Sequence, residues 1–249
     1  MDPFDFPSLL GSIQRCDAAY EMDDAVARTM FTHLGCKVLG RLSTDNCQGV
    51  ASIAADGRQL LTGAGTRFSE GPLIYRFSDL AQDIHFYPYR LPGGGAVASG
   101  ALDRMHALWA WAEPLFDPTQ PVHFEGHSLD GQSMLLAPAV VAYDRIASIT
   151  AWEPPKAADA AFWRVHAGII DRILQVVHGD DPFFAWPPLG SDLQHAPART
   201  LWLRTPSGWS SITGSDGWSG PSILAEPDHD TTTVISALFA LVAAGEKVA

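Results

Sequence analysis

The sequence predicts an α/β protein with a mainly parallel central sheet, an antiparallel N-terminal hairpin and helices on both faces. Three observations carry that expectation. From about residue 98 to residue 204, β-rich runs alternate with helical ones, the pattern of right-handed crossovers in a parallel sheet. Before them, two β-rich runs flank Asp56-Gly57, a tight-turn dipeptide typical of hairpins. Between them, a short strand passes through Gly126-His127-Ser128 straight into a helix.

In chain order, the helical spacing of Tyr20, Val26, Met30, Phe31 and Leu34 predicts one helix over Asp17 to His33, with Gly35 as its stop. The hairpin comprises Val50 to Ala55 and Gln59 to Thr62. A helix near Ala98 to Ala112 precedes the strand Val122 to Glu125 and a helix from Ser128. Then come the strand Ile146 to Trp152, a helix near Ala157 to Val165, and the strand Ile173 to Val177. Thr200 to Arg204 reads as the last strand, followed by a loop-rich stretch from Thr205 to Ser222 and a C-terminal helix beginning near Thr231. The apolar stretches Met134 to Tyr143 and Val234 to Gly245 are too short to span a bilayer and read as core helices. No linker-like tract or internal repeat divides the chain, so residues 1–249 are expected to form one domain.

Composition narrows the function. With 47% hydrophobic and 18% charged residues over 249 positions, the chain can build a substantial core. Its 28 Asp and Glu against 16 Lys and Arg leave a net charge of −12, which repels phosphate backbones and anionic bilayers, so nucleic acid is not an expected partner. The opening Met1-Asp2-Pro3-Phe4-Asp5-Phe6 is acidic where an export leader is basic, so a cytoplasmic or otherwise soluble protein is expected, with no transmembrane segment. Cys16, Cys36 and Cys47 lack metal-ligand spacing and are read as reduced core thiols rather than a Cys16–Cys36 bridge.

The chemistry centres on Val122-His123-Phe124-Glu125-Gly126-His127-Ser128-Leu129-Asp130-Gly131. A nucleophile elbow holds its Ser on a strained strand-to-helix turn, which requires small neighbours where helix and strand approach. Gly126 and Gly131 meet that need, whereas Asp130 stands where the usual G-x-S-x-G ends in Gly. A Ser that only caps the helix is the bland alternative.

Gly126-His127-Ser128-Leu129-Asp130-Gly131 resembles the G-H-S-L-G-G of class 3 (fungal-type) lipases, and further matches follow in order. Ala151-Trp152-Glu153-Pro154-Pro155-Lys156 with Phe162 is similar to the family's T-F-G-S-P-R and its later Phe, and Val176-Val177-His178-Gly179-Asp180-Asp181-Pro182 resembles V-V-N-G-N-D-P. Gly63-Ala64-Gly65-Thr66 sits where the family has F-R-G-T, and Ser78 to Asp83 is similar to its D-W-x-x-D segment. The resemblance spans roughly residues 48 to 235. It implies an α/β-hydrolase fold and a Ser-His-Asp triad, with no metal or organic cofactor.

A serine nucleophile needs an imidazole that is itself oriented by a carboxylate, and in this fold the chain order is Ser, acid, His. Of nine histidines, that order leaves His195 and His229, since His127 lies within the elbow and His166 and His178 precede the acid's loop. His229, just before the C-terminal helix, occupies the loop where a family base sits. Its bland alternative is an exposed loop His flanked by acids. Asp181 matches the family's acid, with Asp180 as runner-up and a purely local Asp-Gly turn as the alternative. One oxyanion donor is expected to be the backbone N–H of Leu129, and the resemblance assigns the second to Thr66. Residues 84–95, from Ile84 to the triglycine Gly93-Gly94-Gly95, occupy the place of a lid or of an aromatic loop packed on the body. Phe183, Phe184 and Trp186 are read as acyl-pocket lining or core.

The expected activity is carboxylic ester hydrolysis of a lipase or esterase type, on lipid or other apolar acyl esters. Another acyl hydrolase (thioesterase, phospholipase or cell-wall lipid esterase) is an alternative, as is a catalytically weak binding module, which Asp130 and the altered Gly63-Ala64-Gly65-Thr66 favour. A permanent anion at Asp130 is expected to weaken the helix field that holds the oxyanion, unless it meets a cation or solvent.

Overall fold

The computed structural model describes residues 4–44, 47–65, 87–187, 191–204, 208–213 and 229–243. Two helices, α1 (Phe6–Ala19) and α2 (Asp24–His33), lead into β1 (Cys36–Ser43), β2 (Gln48–Ala54) and β3 (Gln59–Ala64). A small hairpin, β4 (Pro88–Arg90) and β5 (Ala96–Ala98), precedes α3 (Ser99–Ala112). Then β6 (Val122–His127), α4 (Ser128–Met134), β7 (Ile146–Trp152), α5 (Ala160–Val165) and β8 (Ile173–His178) alternate. The strands β9 (Arg199–Arg204) and β10 (Gly208–Thr213) and the helix α6 (Thr231–Ala243) complete the described elements.

Eight strands form one sheet in the order β1-β2-β3-β6-β7-β8-β9-β10. Neighbours from β3 to β9 run parallel, while β1, β2 and β10 add antiparallel edges. The period of two along each strand assigns side chains to opposite faces. Thus Ala51 and Leu61 join the core with α3 and α4, whereas their neighbours Val50 and Leu60 pack with Phe31 of α2. On that second face, Trp152, Val176 and Leu201 meet Ile13 and Cys16 of α1 and Val234 and Leu238 of α6. The helices therefore cover both faces of the sheet. All three cysteines are free and buried.

Four local expectations are corrected. The helix expected over Asp17 to His33 is two helices, because the Asp23 carboxylate accepts the Ala25 and Val26 N–H groups and starts a new helix after α1 has ended at Tyr20. The strand β1 went unrecognised because a register shift between Val38 and Gly40 interrupts its alternation. Met134 to Tyr143 is not a core helix: α4 ends at Met134, where the ring of Pro138 would meet the Met134 carbonyl if the helix continued, and Ala137–Ala139 form a 3₁₀ turn instead. The stretch expected to be loop-rich contains β10, whose Ser210-Ser211 pair hides the strand pattern. Among the described residues, no helix is long and apolar enough to cross a membrane.

Candidate active site

The parallel strand β6 ends by delivering Ser128 onto a turn with φ of 56°, a left-handed conformation that L residues avoid. Such a turn requires the backbones of β6 and α4 to touch. A Cβ at Gly126 would lie 2.6 Å from the Asp130 carbonyl, and one at Gly131 would lie 2.9 Å from the Gly126 oxygen. Both glycines are therefore required by close approach, as the sequence indicated. Ser128 is the first residue of α4 and not its N-cap, which is His127.

Opposite it, His229 sits just before α6 and is buried. Its Nε2 lies 2.9 Å from Ser128 Oγ, and its Nδ1 lies 3.0 Å from Asp181 Oδ1. Asp181 comes from the loop after β8 and is fully buried, its Oδ1 also accepting the Phe183 N–H at 2.9 Å. The Phe183 ring stacks on the imidazole at 4.0 Å and fixes its plane. Since Nδ1 faces carboxylates, its proton belongs there, which leaves Nε2 as the acceptor of the Ser128 hydroxyl proton.

Three further side chains, absent from the expected set, complete the cluster. Glu153, one residue past β7, is fully buried at φ of 50°, and its Oε2 lies 3.6 Å from His229 Nδ1. The same oxygen is 3.0 Å from His127 Nε2. The other nitrogen of that ring, Nδ1, is 2.7 Å from the Tyr20 hydroxyl at the end of α1. Burial raises the Tyr20 phenol well above its ordinary range, so it stays a donor; burial likewise holds the His127 imidazole well below its ordinary pKa and keeps it neutral. Tyr20 O–H therefore donates to Nδ1, and Nε2–H donates to Glu153. An acid directly after a parallel strand is a readable signal, because open α/β sheets place functional groups at their carboxyl edge. Nothing local marks Tyr20, which reaches the site only through tertiary packing.

One ligand atom each of His127, Glu153 and His229 lies within 4.8 Å of the others, close enough for a cation. The His127 Nε2–H already donates to Glu153, and a metal would have to displace that proton.

The remaining expectations fall as follows. His195 is buried away from Ser128, stacked on Phe184 at 3.7 Å, and burial drives its pKa down to about 3. The contact to His229 is carried by Asp181, with Asp180 its half-buried predecessor. Leu129 follows Ser128 in the first turn of α4, which puts its N–H at the helix start. Thr66 lies outside the described residues, as does Ser78 to Asp83. Gly65 does not: a Cβ there would stand 2.6 Å from the Ser128 Cβ and 2.5 Å from the Tyr20 hydroxyl. Of residues 84–95, only 87–95 are described, and they belong to the β4–β5 hairpin. Its triglycine turn is pinned at one end, since a Cβ on Gly95 would overlap the Phe162 backbone nitrogen. Phe183 and Phe184 are core.

Asp130 turns inward rather than to solvent. It is fully buried against Gly63, with Oδ1 3.2 Å from Arg104 Nη1 and Oδ2 without a hydrogen-bond partner among the described residues. Burial, opposed by Arg104, pushes its pKa up to about 7. The cation that would spare the oxyanion field is thus present.

No family model matches the chain, and no curated protein matches it. Solved structures do. A fungal lipase aligns over 92% of this chain and 96% of its own with a TM-score of 0.66 at 17% identity. Lipase II from Rhizopus niveus aligns over 90% and 91% with a TM-score of 0.64 at 19% identity. The Rhizomucor miehei triacylglyceride lipase aligns over 92% and 95%, again with a TM-score of 0.64, at 17% identity. The coverage and TM-scores show the fold: the chain has the α/β-hydrolase fold of these fungal lipases.

Proposed function

We propose that the protein is a carboxylic ester hydrolase of the lipase or esterase type, working through an acyl-enzyme intermediate. The observation that carries this reading is the linear run of Ser128 Oγ, His229 Nε2 at 2.9 Å, and His229 Nδ1 with Asp181 Oδ1 at 3.0 Å. Ser128 attacks the ester carbonyl while His229 takes its proton. Asp181 steadies the imidazolium that results, and His229 returns the proton to the leaving alcohol. Water then repeats the sequence on the acyl-enzyme. The Leu129 N–H donates to the developing oxyanion, joined by Thr66 in the arrangement the lipase motif implies.

The substrate class is an apolar acyl ester. One solved structure of similar fold is described as a triacylglycerol lipase with a serine protease triad at its catalytic centre. The acidic surface, with net charge −12, disfavours nucleic acid as a partner. Residues 1–249 act as one unit.

A fluorophosphonate probe and a series of p-nitrophenyl esters of increasing chain length test the reading. Wild-type protein is labelled at Ser128 and turns over the esters, while Ser128→Ala and His229→Ala lose both. A folded wild-type protein that resists the probe and cleaves no ester is a binding module instead.

A further inference from the structure

We propose that Glu153 is a second acid of this site: a positioning residue that shares the Nδ1 side of His229 with Asp181 and supports the imidazolium when the Asp181 carboxylate is removed. The inference rests on the ester-hydrolase reading and deepens it. Three observations carry it.

The first is geometric. His229 Nδ1 faces two buried carboxylate oxygens, Asp181 Oδ1 at 3.0 Å and Glu153 Oε2 at 3.6 Å, and makes an aligned hydrogen bond to neither. Coulombic attraction falls only as the inverse of distance, so the two carboxylates act on a charged ring with comparable strength. The acids leave adjacent parallel strands, β7 and β8, at the same edge of the sheet.

The second is conformational. Glu153 holds a φ of 50°, the left-handed region that glycine occupies without strain, and the lipase-like motif has Gly at this position. A longer, charged side chain has been accommodated there at the expense of local strain, which is characteristic of functional positions.

The third concerns orientation. Among the described residues, the groups in contact with Glu153 or the base include Ser128 and His127 at the end of β6 and Asp181 after β8, with Tyr20 from α1 behind His127. The His127 ring, held neutral by burial, donates its Nε2–H to Glu153. Tyr20 fixes the tautomer that makes this donation possible. The carboxylate is therefore aimed at His229 by a two-residue relay.

A double-mutant cycle in the full chain decides the matter, with kcat and KM on a p-nitrophenyl ester, fluorophosphonate labelling and melting temperature as readouts. Asp181→Asn is expected to lower kcat about 10²-fold, less than the roughly 10⁴-fold known when a triad has one acid. Glu153→Gln is expected to lower kcat within about tenfold with KM unchanged. The double variant is expected to fall about 10⁴-fold, more than the product of the single effects, which marks interacting positions. If Glu153→Gln does not fold, Glu153→Asp in the Asp181→Asn background takes its place and is expected to retain rate, because it keeps the charge. The inference is overturned if Asp181→Asn alone is as slow as the double variant, or if Glu153→Asp, folded, adds a further loss to Asp181→Asn. A wild-type protein that the probe does not label overturns the ester-hydrolase reading instead, so the two failures are distinguishable.

Discussion

Replacing Asp130 by Asn removes a buried ionisable group while keeping its shape, and its effect on stability is set by pH. In the folded protein the carboxyl titrates at about 7 against an ordinary 3.8, because burial outweighs the attraction of Arg104. Below about pH 4 the group is protonated in folded and unfolded chains alike. Between about pH 4 and 7 the unfolded chain gives up its proton while the folded one keeps it, so wild-type stability falls as pH rises. Above about pH 7 the loss is complete and flat. At 1.36 kcal/mol per pH unit, the gap from 3.8 to about 7 amounts to about 4 kcal/mol. Urea titrations of both proteins at pH 4.5 and pH 8 capture about 3 kcal/mol of it. Over the whole range the corresponding change in Tm is about 8–16 °C for a chain of this size. Asn leaves a pH-independent penalty from its amide, which cancels when the wild-type minus variant difference is compared between pH values. Asp130→Asn therefore gains on wild type as pH rises. A difference that stays constant within about 1 kcal/mol from pH 4.5 to pH 8, or one that moves the other way, refutes the raised carboxyl.

Two further outcomes follow from close contacts in the structure. Gly65→Ala introduces a methyl group 2.5 Å from the Tyr20 hydroxyl and 2.6 Å from the Ser128 Cβ, so fluorophosphonate labelling should slow by at least about tenfold, equivalent to about 1.4 kcal/mol; unchanged labelling would mean the loop yields freely. Arg15→Met strands the Glu125 carboxylate, which Arg15 Nε binds at 2.8 Å and Arg15 Nη2 binds in parallel, and should lower stability by about 3–5 kcal/mol in urea denaturation. Its companion Arg15→Met/Glu125→Leu should recover most of that loss.

How far the sequence could be read depended on whether the signal was local. The strand Ile146–Trp152 and the start of α6 at Thr231 were legible to the residue, because continuous apolar β-rich runs and a polar helix start mark them. Ser128 was legible because strand, turn and helix follow each other within ten residues. His229 and Asp181 needed the chain order of the motif as well. What escaped notice is set by tertiary contact. Tyr20 read as one apolar position on a helix, yet its hydroxyl serves His127, 107 residues away. Glu153 looked like an eroded match to a family Gly, although an acid in that place is itself a signal. For Asp130 the sequence left a cation and solvent as alternatives, and only the packing of α3 shows that Arg104 meets it.

The pairing of α1 with α6 has a consequence for how the protein is made. Thr231 at the start of α6 donates its hydroxyl to Asp17 of α1 at 2.7 Å across 214 positions of sequence, and His229 stands two residues earlier. Ser128 meets that base across 101 positions. Contacts between residues so far apart close large loops and form late, and a chain leaving the ribosome folds its early portions first. The elbow and its strand therefore exist before the base can reach them. On the ester-hydrolase reading, a nascent or truncated chain lacking both His229 and α6 carries a serine with no imidazole to take its proton, which would confine turnover to the finished molecule.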